Sequence, residues 1–195
     1  MATTYMSFSL LTPPFATELH QPNDLQVLKR HQLIPSRRDL LWQIERGVVR
    51  TTIVTDDGLL IILGYWGAGD IIGHAMSQLE SYQIECLSEV QVSLLPPAQW
   101  NQQFDALLRH IQQLEQLLSI IHHSPVQQRL WQFLTFIAQK FGVEVEQGVL
   151  INLNLSHQAI AETINVTRVT VTRLFQQFEH EGLLLRLKRQ LILLR

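Results

Sequence analysis

LSHQAIAETINVTRVTVTRLF, residues 155–175, decides how this chain is read. A Ser precedes one short apolar-periodic run and a Thr precedes a second, with only Ile164-Asn165-Val166 between them. Ser and Thr accept hydrogen bonds from the free N–H groups of a helix's first turn, so Ser156 and Thr167 are expected to cap two helices. Ala159, Ile160 and Ile164 make the inward side of the first, and Val171, Leu174 and Phe178 that of the second. Asn165 falls where the chain must pass through the left-handed region, which Asn tolerates better than other side-chain-bearing residues. Two helices joined this closely form a helix-turn-helix.

The second helix opens with an outward face of Arg168, Val169, Thr172 and Arg173, the residue types that read double-stranded DNA from the major groove. Arg can donate two bonds to guanine O6 and N7, and Val can rest against a thymine methyl. Ser156, His157 and Thr167 can reach phosphates from the helix starts, with Gln158 beside them. The final segment, EGLLLRLKRQLILLR, alternates around Lys188-Arg189-Gln190, which predicts a wing whose Lys188 also meets DNA. Charge agrees once it is divided. The whole chain carries −2, yet residues 151–195 hold six basic residues against three acidic ones. A basic C-terminal end therefore follows an acidic remainder.

The rest of the 195 residues, 46% of them hydrophobic, suffices for one large domain or two small ones with a buried core. No run reaches the roughly 18–20 apolar residues of a membrane span. MATTYMSFSLLTPPF lacks the basic start of a secretion signal, so the expected location is cytoplasmic, with no membrane partner. One cysteine, Cys86, excludes an internal disulfide framework and is expected to be a buried strand residue in QIECLSEV.

From about Gln32 to Leu95, short apolar runs (LLWQI, VVRTTIV, LLIILGYW, IIGHAM, VQVSLL) alternate with Gly- and Asp-rich turns, which predicts a small antiparallel barrel or sandwich. Each glycine there is expected to relieve a positive-φ turn. After Pro96-Pro97, AQWNQQF predicts a short helix, and Asp105 is expected to cap the longer DALLRHIQQLEQLLSIIHH. Leu107, Ile111, Leu114, Leu118 and Ile121 repeat at spacings of 4, 3, 4 and 3, a heptad seam with polar flanks. Packing on the chain's own barrel and pairing in a homodimer are both open; the narrow seam favours the homodimer. Ser124-Pro125 is expected to cap and start a further helix through Phe141, with Leu130, Phe133, Leu134, Ile137 and Phe141 inward and Gly142 as its stop. VEVEQGVLINLNL then predicts two strands turning at Gln147-Gly148.

With these pieces in place, the sequence resembles the CRP/FNR family of transcription regulators over most of residues 40–195. IERGVVR, the turn GAGDIIG at residues 67–73, the seam helix and the helix-turn-helix carry the resemblance, and the last is close to the cyanobacterial nitrogen-regulator (NtcA) type. The resemblance implies an α+β fold: an N-terminal antiparallel β-roll of the cyclic-nucleotide-binding type (residues 1–95), a short helix and a dimerisation helix (96–123), and a C-terminal winged helix-turn-helix (124–195). It also implies a homodimer on a palindromic promoter site with GTA and TAC half-sites, base reading by Arg168, Val169 and Arg173, and RNA polymerase as a partner. The effector pocket would be lined by Ile72, Gly73, His74, Tyr82 and Gln83.

The departures from the family pattern bear on the effector. Cyclic-nucleotide-binding relatives follow the glycine with a Glu and later place an Arg-Ser pair on the phosphate; here His74 follows Gly73, and SYQIECL offers neither. The nitrogen-regulator pattern has an Arg for oxoglutarate where this chain has Glu80, and Glu80 and Glu85 oppose an anion. The roll is shortened between Pro35-Ser36 and Leu41-Trp42, and the dimer helix lacks about two turns. A degenerate pocket that binds neither cyclic AMP nor 2-oxoglutarate is expected, and no cofactor is assigned. His74 as a haem ligand is weaker than His74 as a hydrogen-bonded loop residue. His122 and His123 point about 100° apart on a helix and serve its C-terminal end better than a shared metal. An effector-independent DNA-binding antagonist or scaffold is the alternative reading. A cupin-like metal enzyme is weaker still, since IIGHAM offers one His where such a site needs several converging ligands.

Overall fold

The computed structural model describes residues 25–122, 125–187 and 190–195, so His123, Ser124, Lys188 and Arg189 lie outside the described residues. In the N-terminal half, β1 (Leu25–Leu28), β2 (Leu41–Arg46), β3 (Val49–Val54), β4 (Leu60–Trp66), β5 (Ile71–Ile72), β6 (Gln83–Cys86) and β7 (Val90–Leu95) form two antiparallel sheets. Their orders are β1-β7-β2-β5 and β4-β3-β6. Between the sheets Trp42, Ile44, Trp66, Tyr82, Ile84 and Val92 pack as one apolar cluster. The indole N–H groups that this burial would orphan are satisfied: Trp42 donates to the Pro35 carbonyl at 2.9 Å and Trp66 to Thr51 Oγ1 at 3.0 Å. Cys86 is a buried strand residue as expected, and burial pushes its thiol up to about 11.

β1 precedes the region read as strands; its Leu25 and Val27 point to solvent, so its apolar alternation marks the wrong face. Not every roll glycine relieves a positive φ. Gly47, Gly58, Gly69 and Gly73 do. Gly64 and Gly67 instead permit close approach, since a Cβ would meet the Trp66 indole at 2.5 Å and the Phe141 ring at 2.8 Å respectively. Glu85 is not a free acid, because Arg50 on the neighbouring strand holds it at 2.7 Å and His31 at 3.0 Å.

A short 3-10 helix (Pro97–Gln102) leads into α1 (Phe104–His122). Asp105 lies inside the first turn of α1 rather than capping it, where its charge still suits the positive end of the helix. α2 (Val126–Phe141) follows; Pro125 is its N-cap in extended conformation, one position later than the cap expected at 124. Leu130, Phe133, Leu134 and Ile137 are buried as the spacing predicts, and Phe141 is half-buried. Gly142 closes the helix with ordinary negative φ and begins β8 (Gly142–Val145), which turns at Glu146-Gln147, one residue before the predicted place, into β9 (Gly148–Ile151). After α3 (His157–Thr163) and α4 (Arg168–His180) come β10 (Leu184–Leu187) and β11 (Gln190–Leu194), with Gln190 in a strand rather than in the turn. The two hairpins join into one antiparallel sheet, β10-β11-β9-β8.

The halves share a core. Ile62, Tyr65 and Leu87 of the roll pack with Leu117 and Ile120 of α1 and with Phe133, Ile160 and Phe178 of the C-terminal half in one buried cluster. Two polar contacts cross the same boundary. Thr163 Oγ1 donates to the Ala159 carbonyl at 2.7 Å, which leaves its lone pair for the Tyr65 hydroxyl, also at 2.7 Å. Burial pushes the Tyr65 phenol up to about 12, so it remains a donor. Asp70 accepts from the Gly67 N–H at 2.8 Å and from Gln113 Nε2 at 3.2 Å, and pairs with Lys140 at 2.7 Å. Lys140 also bonds Gln113 Oε1 and lies 5.0 Å over the Trp66 ring, on which His110 stacks at 3.8 Å. Burial pulls the Lys140 ammonium down, and Asp70 opposes that shift.

Because both partners are largely buried, the pair is costly to break and less costly to replace whole. Asp70→Ala should lower unfolding free energy by about 3–5 kcal/mol through a stranded Lys140, and adding Lys140→Met should recover most of it; urea titration at constant m checks both. His110 gives a pH test. Burial holds its ring down at about 4, below the ordinary 6.5, so the unfolded chain takes up a proton that the folded protein refuses. Its contribution is complete above pH 6.5, is lost as pH falls toward 4, and amounts to roughly 3 kcal/mol at most. His110→Phe should flatten stability against pH in that window relative to the unsubstituted protein.

Candidate nucleic-acid interface

The helix-turn-helix forms by the local rules read from its sequence. Ser156 accepts from the Ala159 N–H and Thr167 from the Thr170 N–H, each at 3.1 Å, so both caps are made by side chains. Asn165 adopts φ +53° in the turn. Ala159, Ile160 and Ile164 are buried, as are Val171, Leu174 and Phe178, with Phe175 added to the second set. Arg129 of α2 donates to the Ile164 carbonyl at 2.9 Å and fixes the end of α3.

On the opposite side of α4, Arg168 and Arg173 are exposed, and Val169 is 78% exposed. Among the described residues neither arginine is in an ion pair, in contrast to Arg186, which holds Glu179 through two bonds of 2.6 Å. Thr172 differs from its neighbours. It is half-buried, donates to the Arg168 carbonyl at 3.0 Å and lies 2.9 Å from His157 Nδ1. Gln158 is exposed and bonds Glu162 at 2.9 Å within α3. Ser156 and Thr167 are exposed at the two helix starts, and Lys188 lies outside the described residues. β10 and β11 run antiparallel beside α4 as the wing, with Arg186 6.0 Å from the Phe175 ring.

The seam residues divide. Ile111, Leu114 and Leu118 are 53%, 38% and 58% exposed along α1, whereas Leu107 and Ile121 are half-buried against their own chain. The face of α1 that packs inward is a different one, centred on Ala106, Leu117 and Ile120.

The roll residues expected around an effector are also divided. Ile72, Gly73, His74 and Tyr82 are buried together, with the His74 and Tyr82 rings 5.5 Å apart and His74 Nε2 2.8 Å from the Leu79 carbonyl. Burial pushes the Tyr82 phenol up to about 12. Gln83 is exposed on β6 and does not join them. Among the described residues no three His, Cys, Asp or Glu groups converge to hold a metal ion.

Sequence reasoning missed Tyr65, Thr163, Arg129 and Arg186 as residues that position the interface. Arg186 left a trace, an opposite charge to Glu179 across the turn at Gly182. The others are paired with residues from 35 to 98 positions away, for which local spacing carries no signal.

Residues 128–195 match the Crp-like helix-turn-helix domain. Over 188 residues the chain is 36% identical to the regulatory protein CysR of Synechococcus elongatus, covering 94% of this chain and 90% of that protein. Over 68 residues, 35% of this chain and 30% of the relative, it is 47% identical to the global nitrogen regulator of a Nostoc species. Its fold is like that of a CRP-family transcriptional regulator from Thermus thermophilus, with a TM-score of 0.75 at 23% identity over 87% of this chain and 92% of that one. The chain belongs to the CRP/FNR family of transcription regulators, on the side of the family that includes the cyanobacterial nitrogen regulators. No described helix is long and apolar enough to cross a membrane.

The Asn165 turn supplies a test of the local fold. Asn165→Ala should destabilise the protein by about 1 kcal/mol, the cost of a left-handed residue with a Cβ and no polar side chain, while Asn165→Gly should be close to neutral. Chemical denaturation of the two variants side by side measures the difference.

Proposed function

We propose that this regulator binds a palindromic double-stranded promoter site as a homodimer, with GTA and TAC half-sites read by Arg168, Val169 and Arg173. The observation that carries the reading is the exposed pair of arginines, in no ion pair among the described residues, on the first turns of a capped helix whose other face is buried. Ser156, Thr167, Gln158 and Lys188 supply phosphate contacts around it, which fix register without reading sequence. Ile111, Leu114 and Leu118 form the dimer seam, with Leu107 and Ile121 at its ends. A twofold pair places two recognition helices in successive major grooves, which one small module alone binds weakly. RNA polymerase is the partner that promoter binding brings near. The protein works in the cytoplasm and performs no chemistry of its own.

In this reading the roll accepts neither cyclic AMP nor 2-oxoglutarate. Trp42, Trp66 and Tyr82 fill the space between the sheets, and the Arg50 cation on β3 is already committed to Glu85 on β6. A ligand shifts a population only through its differential affinity for two states, so an unbound ligand shifts nothing. The apo dimer then binds its site unaided.

A DNA titration tests each part. Arg168→Ala or Arg173→Ala should weaken binding by about 1–3 kcal/mol and relax preference at one base pair of each half-site. Leu114→Lys should yield a monomer by sedimentation and lose the palindrome. Neither cyclic AMP nor 2-oxoglutarate at millimolar concentration should change affinity by as much as about threefold. Micromolar binding of either ligand with tighter DNA association would overturn the effector part of the reading.

A further inference from the structure

His157 is the first residue of α3, and its ring does not face outward alone. Nδ1 lies 2.9 Å from Thr172 Oγ1 on α4, and the ring packs 4.7 Å from Phe175 at an angle of 36°. Thr172 Oγ1 also lies 3.0 Å from the Arg168 carbonyl, to which it donates. A hydroxyl has one proton, so the arrangement that satisfies both contacts has His157 donate from Nδ1–H to Thr172, and Thr172 donate to Arg168. That relay runs from the start of the first helix to the main chain of the residue that carries the leading base-reading arginine. A cavity of about 170 Å³ borders the ring and is shared with Ile160, Phe175 and Arg186. Packing therefore leaves the ring room to turn, and the bond to Thr172 sets its orientation.

We propose that His157 is a positioning residue for base readout, acting through Thr172 on the first turn of α4, and not a phosphate contact. This rests on the reading of α4 as the recognition helix. A ring with its proton on Nδ1 presents a bare lone pair at Nε2, which cannot donate to a phosphate oxygen. Among the described residues, the charged groups that act on the ring are Arg186 from β10 and Arg168 and Glu179 from α4. Burial, followed by Arg186 and Arg168, holds the ring below its ordinary pKa, which keeps it neutral at physiological pH. α3 is only seven residues long, so its start offers little dipole to an anion.

The geometry separates the two roles by substitution. Asn places an amide nitrogen where His has Nδ1, while Gln places one where His has Nε2. His157→Asn and Thr172→Ser should therefore bind the palindrome within about threefold of the unsubstituted protein. His157→Gln and Thr172→Val should each weaken it about tenfold, the scale of one lost hydrogen bond, and the double variant should be no weaker than either. The slope of log affinity against log salt should stay unchanged in all of them, because no phosphate contact is lost. Retention by Gln, loss with Asn and a slope reduced by about one would overturn the proposal in favour of a phosphate contact. Equal binding by all four single variants would overturn it too. A readout without DNA keeps it separate from the functional reading: ¹⁵N NMR of the His157 ring in the free protein should show Nδ1 protonated and Nε2 bare. The opposite tautomer sinks the relay even if the palindrome is bound. A protein that shows the expected tautomer but no preference for the palindrome refutes the functional reading instead.

Discussion

The Asp70 carboxylate is the point on which the arrangement of the molecule depends. It accepts from its own turn, from α1 through Gln113, and from α2 through Lys140, so one buried group ties the roll, the seam helix and the DNA-binding half. A charge at 7% exposure would be expensive alone, and the three donors together offset its loss of water. The stacked His110 and Trp66 rings cover the site from one side, with the Lys140 ammonium over the same indole. Asp70 also explains why the turn before it is rich in glycine: Gly69 takes a positive φ, and Gly67 lies against Phe141 with no room for a Cβ. The turn has to come close to α2 for the carboxylate to reach its lysine.

From that junction the order passes to α4 through apolar packing and two polar contacts. Tyr65 reaches Thr163 two residues before the left-handed Asn165, and Arg129 holds the carbonyl that ends the same helix. The turn between α3 and α4 is thus held both by its own sequence and by residues of β4 and α2. With Arg168 and Arg173 exposed, α4 has few favourable contacts on its outer side, so its orientation has to be set from behind.

What was legible in the sequence follows the range of the interactions. Ser156, Asn165 and Thr167 act on groups within three residues of themselves, and their roles could be read directly. The buried stripes of α2 and α4 follow from helical periodicity. β1 was not legible, since Leu25 and Val27 turn outward and only pairing with β7 makes it a strand. Asp105 looked like a cap but α1 starts one residue earlier, where the preceding 3-10 helix runs into it. Gln83 looked like a pocket residue by position, yet the alternation of β6 places Ile84 and Cys86 inside and Gln83 outside. The tie between His157 and Thr172 spans fifteen residues and depends on the angle between two helices, which spacing alone does not give.

The continuity of the core has a consequence for how such a chain can change over time. Where two halves meet through a polar, wet boundary, either can be exchanged between genes or trimmed without harm to the other. Here Tyr65 and Ile62 belong to the same buried cluster as Phe133, Ile160 and Phe178. Recombination at the link between α1 and α2 would leave each fragment with half of a hydrophobic interior facing water. Such a chain diverges by substitution within a fixed architecture rather than by shuffling its parts, because the roll is also the wall against which the C-terminal half folds.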